Sequence, residues 1–125
     1  APDAIMDVAQ ELHRYRYEIE DALSRSRTIS YQDLPGLIEA GKLALYANDR
    51  AILIVEPIRL TVGWILCMFV AAGEMDHVMA LVDHAEAVAK EKGASGVAAI
   101  GRPGWIKNAR KRGYRIETVT LVKEL

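Results

Sequence analysis

The hydrophobic period of this chain changes three times along its length, and the order of the changes leaves few folds open. Up to Leu23 apolar residues recur every three or four positions, as one face of a helix requires. Between Lys42 and Ala72 they gather into three dense runs, and from Glu74 to Lys92 the helical period returns before a last short apolar run. Dense runs joined by a few residues suit antiparallel strands, whereas strand, helix and strand in succession is the connection that parallel strands need. Both pairings therefore belong to one sheet, and the fold class is α+β. The sheet is mixed and mainly antiparallel, with two N-terminal helices, a long crossover helix and a short C-terminal helix. At 125 residues the chain is expected to form one domain, residues 1–125, burying roughly two-thirds of the surface its unfolded chain exposes.

The first helix carries Ile5, Val8, Leu12, Tyr15, Ile19 and Leu23 on one face, with Asp3 as its expected N-cap. A second is expected over Leu34 to Ala40, capped by Asp33, tolerant of Pro35 in its first turn and stopped by Gly41. Strands follow at Lys42 to Tyr46, Ala51 to Arg59 and Gly63 to Ala72. The long helix ends at Gly93, and Val97 to Ile100 makes the parallel strand. A brief basic helix opens at Trp105, and Arg115 to Leu125, with Ile, Thr and Val at strand frequency, is expected to be the last strand.

A net charge of −1 gives no domain-wide field to attract nucleic acid or an anionic membrane. The most apolar region, Ala51 to Ala72, is broken by Glu56, Pro57 and Arg59, too soon for a spanning helix. Ala1-Pro2-Asp3 carries neither a charged nor an apolar leader region, and the single cysteine, Cys67, cannot pair within the chain. A thiol within Trp64 to Val70 reads as a small buried hydrophobe. These features lead us to expect an unsecreted protein of a reducing compartment. No metal site is expected: His77 and His84 are seven residues apart on one helix, about 10 Å along its axis, beyond the reach of one ion.

The element order, together with Lys90-Glu91-Lys92-Gly93-Ala94 and Arg110-Lys111-Arg112-Gly113-Tyr114, resembles the acetyl-CoA-dependent N-acetyltransferases of the GNAT superfamily over nearly the whole chain. Ala71-Ala72-Gly73-Glu74-Met75-Asp76, Gly101-Arg102-Pro103-Gly104-Trp105 and Leu121-Val122-Lys123-Glu124-Leu125 resemble, more narrowly, the small GNAT-like proteins encoded among the virion assembly genes of tailed bacteriophages. The first resemblance implies acetyl-CoA as cofactor, held by Phe69, Val70, Gly73 and His77. The second implies other phage structural proteins as partners, a place in the host cytoplasm or the virion, and no cofactor.

The chemistry that the superfamily resemblance implies meets two departures. A diphosphate needs free backbone N–H groups where a strand enters a helix, and glycines let the backbone approach. Here Gly73-Glu74-Met75-Asp76-His77 offers one glycine, no arginine and two acids that repel phosphate. The same acids are also what the first turn of any helix prefers. The superfamily's general-acid tyrosine falls on Ala109, and Tyr114 lies on the wrong side of Gly113 to replace it. Glu56 is the candidate general base on a central strand; the alternative is a solvent-facing carboxylate beside Pro57 at a bulge or edge.

Arg102, Lys107, Arg110, Lys111, Arg112 and Arg115 form an acid-free basic cluster beside Trp105. It is a solvated helix face, an anion site or a protein contact, with Arg102, Trp105, Lys107, Arg110, Lys111 and Arg112 as the candidate interaction residues. The sequence thus favours a non-catalytic GNAT-fold component of phage assembly that contacts other proteins, homo-oligomers included. The alternative is an acetyl-CoA-dependent N-acetyltransferase acting on a protein or small-molecule amine.

Overall fold

The computed structural model describes residues 7–26, 29–101 and 103–125. A four-stranded sheet carries helices on both faces. Its strands are β1 (Ala44–Asn48), β2 (Ala51–Arg59), β3 (Trp64–Gly73) and β4 (Gly96–Ala99), in the spatial order β1-β2-β3-β4. The first three pair antiparallel, and β4 lies parallel to β3 after the crossover helix, so both expected pairings are present.

One face packs on α1 (Val8–Arg14), α2 (Arg16–Ser26) and α3 (Leu34–Glu39). Leu12, Ile19 and Leu23 from the helices meet Ile52, Ile54, Val70 and Ala72 from the sheet. Alternation sends Leu53 and Val55 to the opposite face, with Leu66 and Met68 of β3. There they meet Val78, Leu81, Val82, Ala85 and Ala89 of α4 (Met75–Glu91). β2 is buried on both faces from Ala51 to Val55, which explains its unbroken apolar run. A short 3₁₀ turn, Pro103–Trp105, leads into α5 (Ile106–Lys111).

Four expectations need correction. The first helix is two, broken at Tyr15, and its N-cap is Asp7, whose carboxylate accepts the Gln10 N–H at 3.1 Å; Asp3 lies outside the described residues. Asp33 stands at the N-cap position of α3 as expected, but its side chain makes no capping bond: the carboxylate turns back to the Ser30 N–H (3.3 Å) and hydroxyl (2.8 Å), closing a 3₁₀ turn that precedes the helix. β1 begins at Ala44, because Gly41, at φ +76°, and the Lys42 N–H, bonded to the Leu37 carbonyl, still belong to the end of α3. The largest correction is Arg115 to Leu125, which forms no strand. Strand-forming side chains make a strand only where a ladder partner accepts their backbone groups. α5 ends against α4, where Arg112 pairs with Asp83 and Tyr114 with Glu86, and no described strand flanks the chain beyond it.

Candidate functional site

β4 pairs with only part of β3. β2 accompanies β3 along its whole length, from Trp64 to Gly73, but β4 accompanies it only from Ile65 to Met68. The last bond between them runs from the Ile100 N–H to the Met68 carbonyl, 2.9 Å. At this level β3 carries a bulge: Met68 faces Val55 and Val70 faces Ile54, leaving Phe69 as the extra residue. A bulge bends and twists the strand that holds it, and here the pairing with β4 ends beside it. Beyond Met68, no described strand flanks β3 on the β4 side. Phe69 is half-buried at the mouth, whereas the Val70 side chain is sealed into the core beneath α1 and α2.

The open edge leads to the start of α4 through a single residue, Glu74. Gly73 has φ +115°, and a Cβ there would lie 2.2 Å from the Arg50 carbonyl oxygen and 2.6 Å from Ala51 Cα. Its lack of a side chain is used against the β1–β2 turn, not against a ligand. The Glu74 N–H donates to the same Arg50 carbonyl at 3.0 Å. The Glu74 carboxylate accepts from the Arg50 guanidinium at 3.1 and 3.2 Å and lies 3.8 Å from His77 Nε2. No side chain caps the first turn of α4, so its N-terminal N–H groups are not filled by its own acids. His77 is held through its backbone: Asn48 Nδ2 donates to its carbonyl at 3.0 Å.

For acetyl-CoA the fit is divided. An extended chain of amides matches the backbone edge of Phe69 to Gly73, which no described strand pairs on the β4 side. The diphosphate does not match the loop, where one residue connects strand to helix and that residue is an acid.

Glu56 lies on the face covered by α1–α3, directly across from Cys67. It is half-buried and lines an open groove of roughly 630 Å³ with Ile29, Gln32, Asp33, Lys42 and Leu43. Burial, and secondarily the Glu56 charge, push the Cys67 thiol up to about 11, so it is no nucleophile near neutrality. From Glu56 to the bulge is one strand across and two residues along, roughly 8 Å. That distance asks for a bridging water in any proton transfer.

Tyr114 lies on the other face. Its hydroxyl donates to the Glu86 carboxylate on α4, and burial, then that bond, raise its pKa well above the usual phenol range. It serves as a tie between α5 and α4. Ala109 sits within α5, its carbonyl taken by the Arg112 and Tyr114 N–H groups. Trp105 is half-buried against the α4-side core, its indole 3.4 Å from where a Cβ on Gly101 would stand. Lys107, Arg110 and Lys111 are exposed, Arg112 is paired with Asp83, and Arg102 lies outside the described residues. Among the described residues no group of His, Cys, Asp or Glu could hold a metal ion, and no helix is long and apolar enough to cross a membrane.

Arg50 against Glu74 and the Phe69 bulge were not legible in the sequence, since each owes its place to strand register. The only trace was Arg50 directly after Asn48-Asp49, in a turn too short to keep it away from the sheet end.

No protein-family model and no curated protein matches the chain in sequence. Solved structures do match in shape. An acetyltransferase of Trypanosoma brucei superimposes with TM-score 0.61 at 9% identity, covering 77% of this chain and 78% of its own. A ribosomal-protein-alanine N-acetyltransferase of Brucella melitensis biovar Abortus matches with TM-score 0.59 at 14% identity, covering 90% and 94%. A protein of Bacillus halodurans described as a transcriptional regulator matches with TM-score 0.70 at 18% identity, covering 98% and 97%. The fold is the GNAT fold. Of the features that the GNAT resemblance implies, the long helix and the parallel strand after it are present, while the glycine loop and a tyrosine at position 109 are not.

Proposed function

We propose that this chain binds acyl-CoA along the open edge of β3 and transfers the acetyl group to an amine. The observation that carries this reading is the Phe69 bulge, beyond which no described strand pairs with β3 on its β4 side. Acetyl-CoA would supply the activated thioester. The edge from Phe69 to Gly73 would hold its amide arm, while the exposed Lys107, Arg110 and Lys111 attract its phosphates in place of a glycine cradle. Glu56, through one water, accepts the proton that the amine loses as the C–N bond forms; the C–S bond breaks, and CoA leaves as its thiolate, which takes a proton from solvent. Positioning and proton transfer to a base both accelerate acyl transfer, so the absence of a tyrosine acid lowers the rate without removing the reaction.

Isothermal titration with acetyl-CoA tests the binding step. A saturable heat that weakens with added salt, and weakens again in Lys107→Glu/Arg110→Glu, is the expected result. No heat and no thermal shift at millimolar ligand would rule the reading out. If binding holds, Glu56→Gln is expected to lower kcat with acetyl-CoA affinity unchanged.

A second reading is favoured by Glu74, an acid where a diphosphate would approach, and by the residues that resemble phage assembly proteins. In it the fold is non-catalytic, and Lys107, Arg110 and Lys111 meet an acidic face of another particle protein. Co-purification with virions or proheads, lost in the same double variant, supports this; an active enzyme absent from particles refutes it.

A further inference from the structure

The segment from Arg115 to Leu125 has the composition of a strand and no described strand beside it. Val119, Leu121 and Val122 are 73%, 89% and 65% exposed. β4 presents its outer edge nearby in the sheet order, but it offers only Gly96, Val97, Ala98 and Ala99, which carry no charge and span four positions. The eleven-residue segment carries charges at fixed places along its length.

We infer that this segment pairs antiparallel with the same segment of a second copy, across a two-fold axis at Thr120. In that register Val119 faces Leu121 twice, Thr118 faces Val122 twice, and Glu117 faces Lys123 twice. An isologous contact requires this kind of self-complementarity, because each residue meets its counterpart in both directions. The Val–Leu and Glu–Lys pairs share one face, so an apolar centre is flanked by opposite charges, the arrangement that stabilises neighbouring strands. A one-residue slip in one direction sets Glu117 opposite Glu124. A slip in the other sets Val119 and Leu121 against threonines. The charges therefore select the register as well as the partner.

Charge exchange tests the pairing without touching the folded core, since Glu117 and Lys123 are exposed. Sedimentation equilibrium is expected to show a concentration-dependent dimer. Lys123→Glu replaces two opposite-charge pairs by two like-charge pairs and is expected to weaken it about tenfold. Glu117→Lys/Lys123→Glu is expected to restore the original affinity, and an equimolar mixture of Lys123→Glu with Glu117→Lys is expected to form mixed dimers. Thr120→Cys, at the axis, is expected to oxidise to a covalent dimer, and Thr118→Cys alone is not. A strictly monomeric protein, or a double variant no better than Lys123→Glu, overturns the inference. Equal cross-linking of Thr120→Cys and Thr118→Cys overturns it too, as would pairing of the segment with its own β4.

Discussion

Replacing Gly73 by alanine separates a structural glycine from a ligand-binding one. At φ +115° any Cβ meets strain of about 1–3 kcal/mol. Here it also meets the Arg50 carbonyl oxygen at 2.2 Å and Ala51 Cα at 2.6 Å. Those are backbone atoms, so relief requires moving the β1–β2 turn, at a further cost of about 1–3 kcal/mol. The turn carries the acceptor for the Glu74 N–H and the cation for its carboxylate, so the start of α4 is disturbed as well. The sum is about 2–6 kcal/mol. Gly93→Ala is the control, because its φ of +82° imposes the same kind of strain while nothing lies within 4 Å of the added Cβ. In urea unfolding with no ligand present, Gly73→Ala should lose about 1–3 kcal/mol more than Gly93→Ala, with the m-value unchanged. If the two differ by less than about 0.5 kcal/mol, the clash does not exist and Gly73 is kept for another purpose.

Tyr114→Phe removes the donor to Glu86 and should cost about 1–2 kcal/mol, because a hydrogen bond to a charged acceptor is lost at a half-buried site. The raised Tyr114 pKa fixes a sign: its stabilisation is complete below the ordinary tyrosine value near 10 and declines as alkali first ionises the unfolded chain. Wild type should therefore lose stability above pH 10 more steeply than Tyr114→Phe, as thermal melts across that range would show. Cys67 should resist alkylation at pH 8 in the folded protein and react fully on unfolding, its labelling rate climbing until about pH 11. Rapid labelling at pH 8 would mean that the thiol is neither buried nor protonated as described.

The elements of the sheet were legible because their signals are local. Three dense apolar runs, a 3.6-residue period from Val78 to Ala89 and a glycine at position 93 each announce themselves within a few residues. Asp33 takes the N-cap position that the sequence indicates, but its carboxylate bonds to the two donors of Ser30 and not to the helix. Arg115 to Leu125 was misread because β-propensity describes a willingness to pair, and pairing is settled by what lies alongside.

By itself the sequence determined the kinds of elements, their order and the mixed pairing of the sheet, since hydrophobic period and connection length are properties of consecutive residues. It also determined which residues that the acetyltransferase resemblance implies are not carried here: glycines after Gly73 and a tyrosine at position 109. Only the tertiary structure decided where the β3–β4 pairing ends, which face Glu56 and Tyr114 each occupy, and that Gly73 yields to the Arg50 carbonyl. Those facts depend on register and on a one-residue bulge at Phe69, which join residues tens of positions apart and leave no mark on the local pattern.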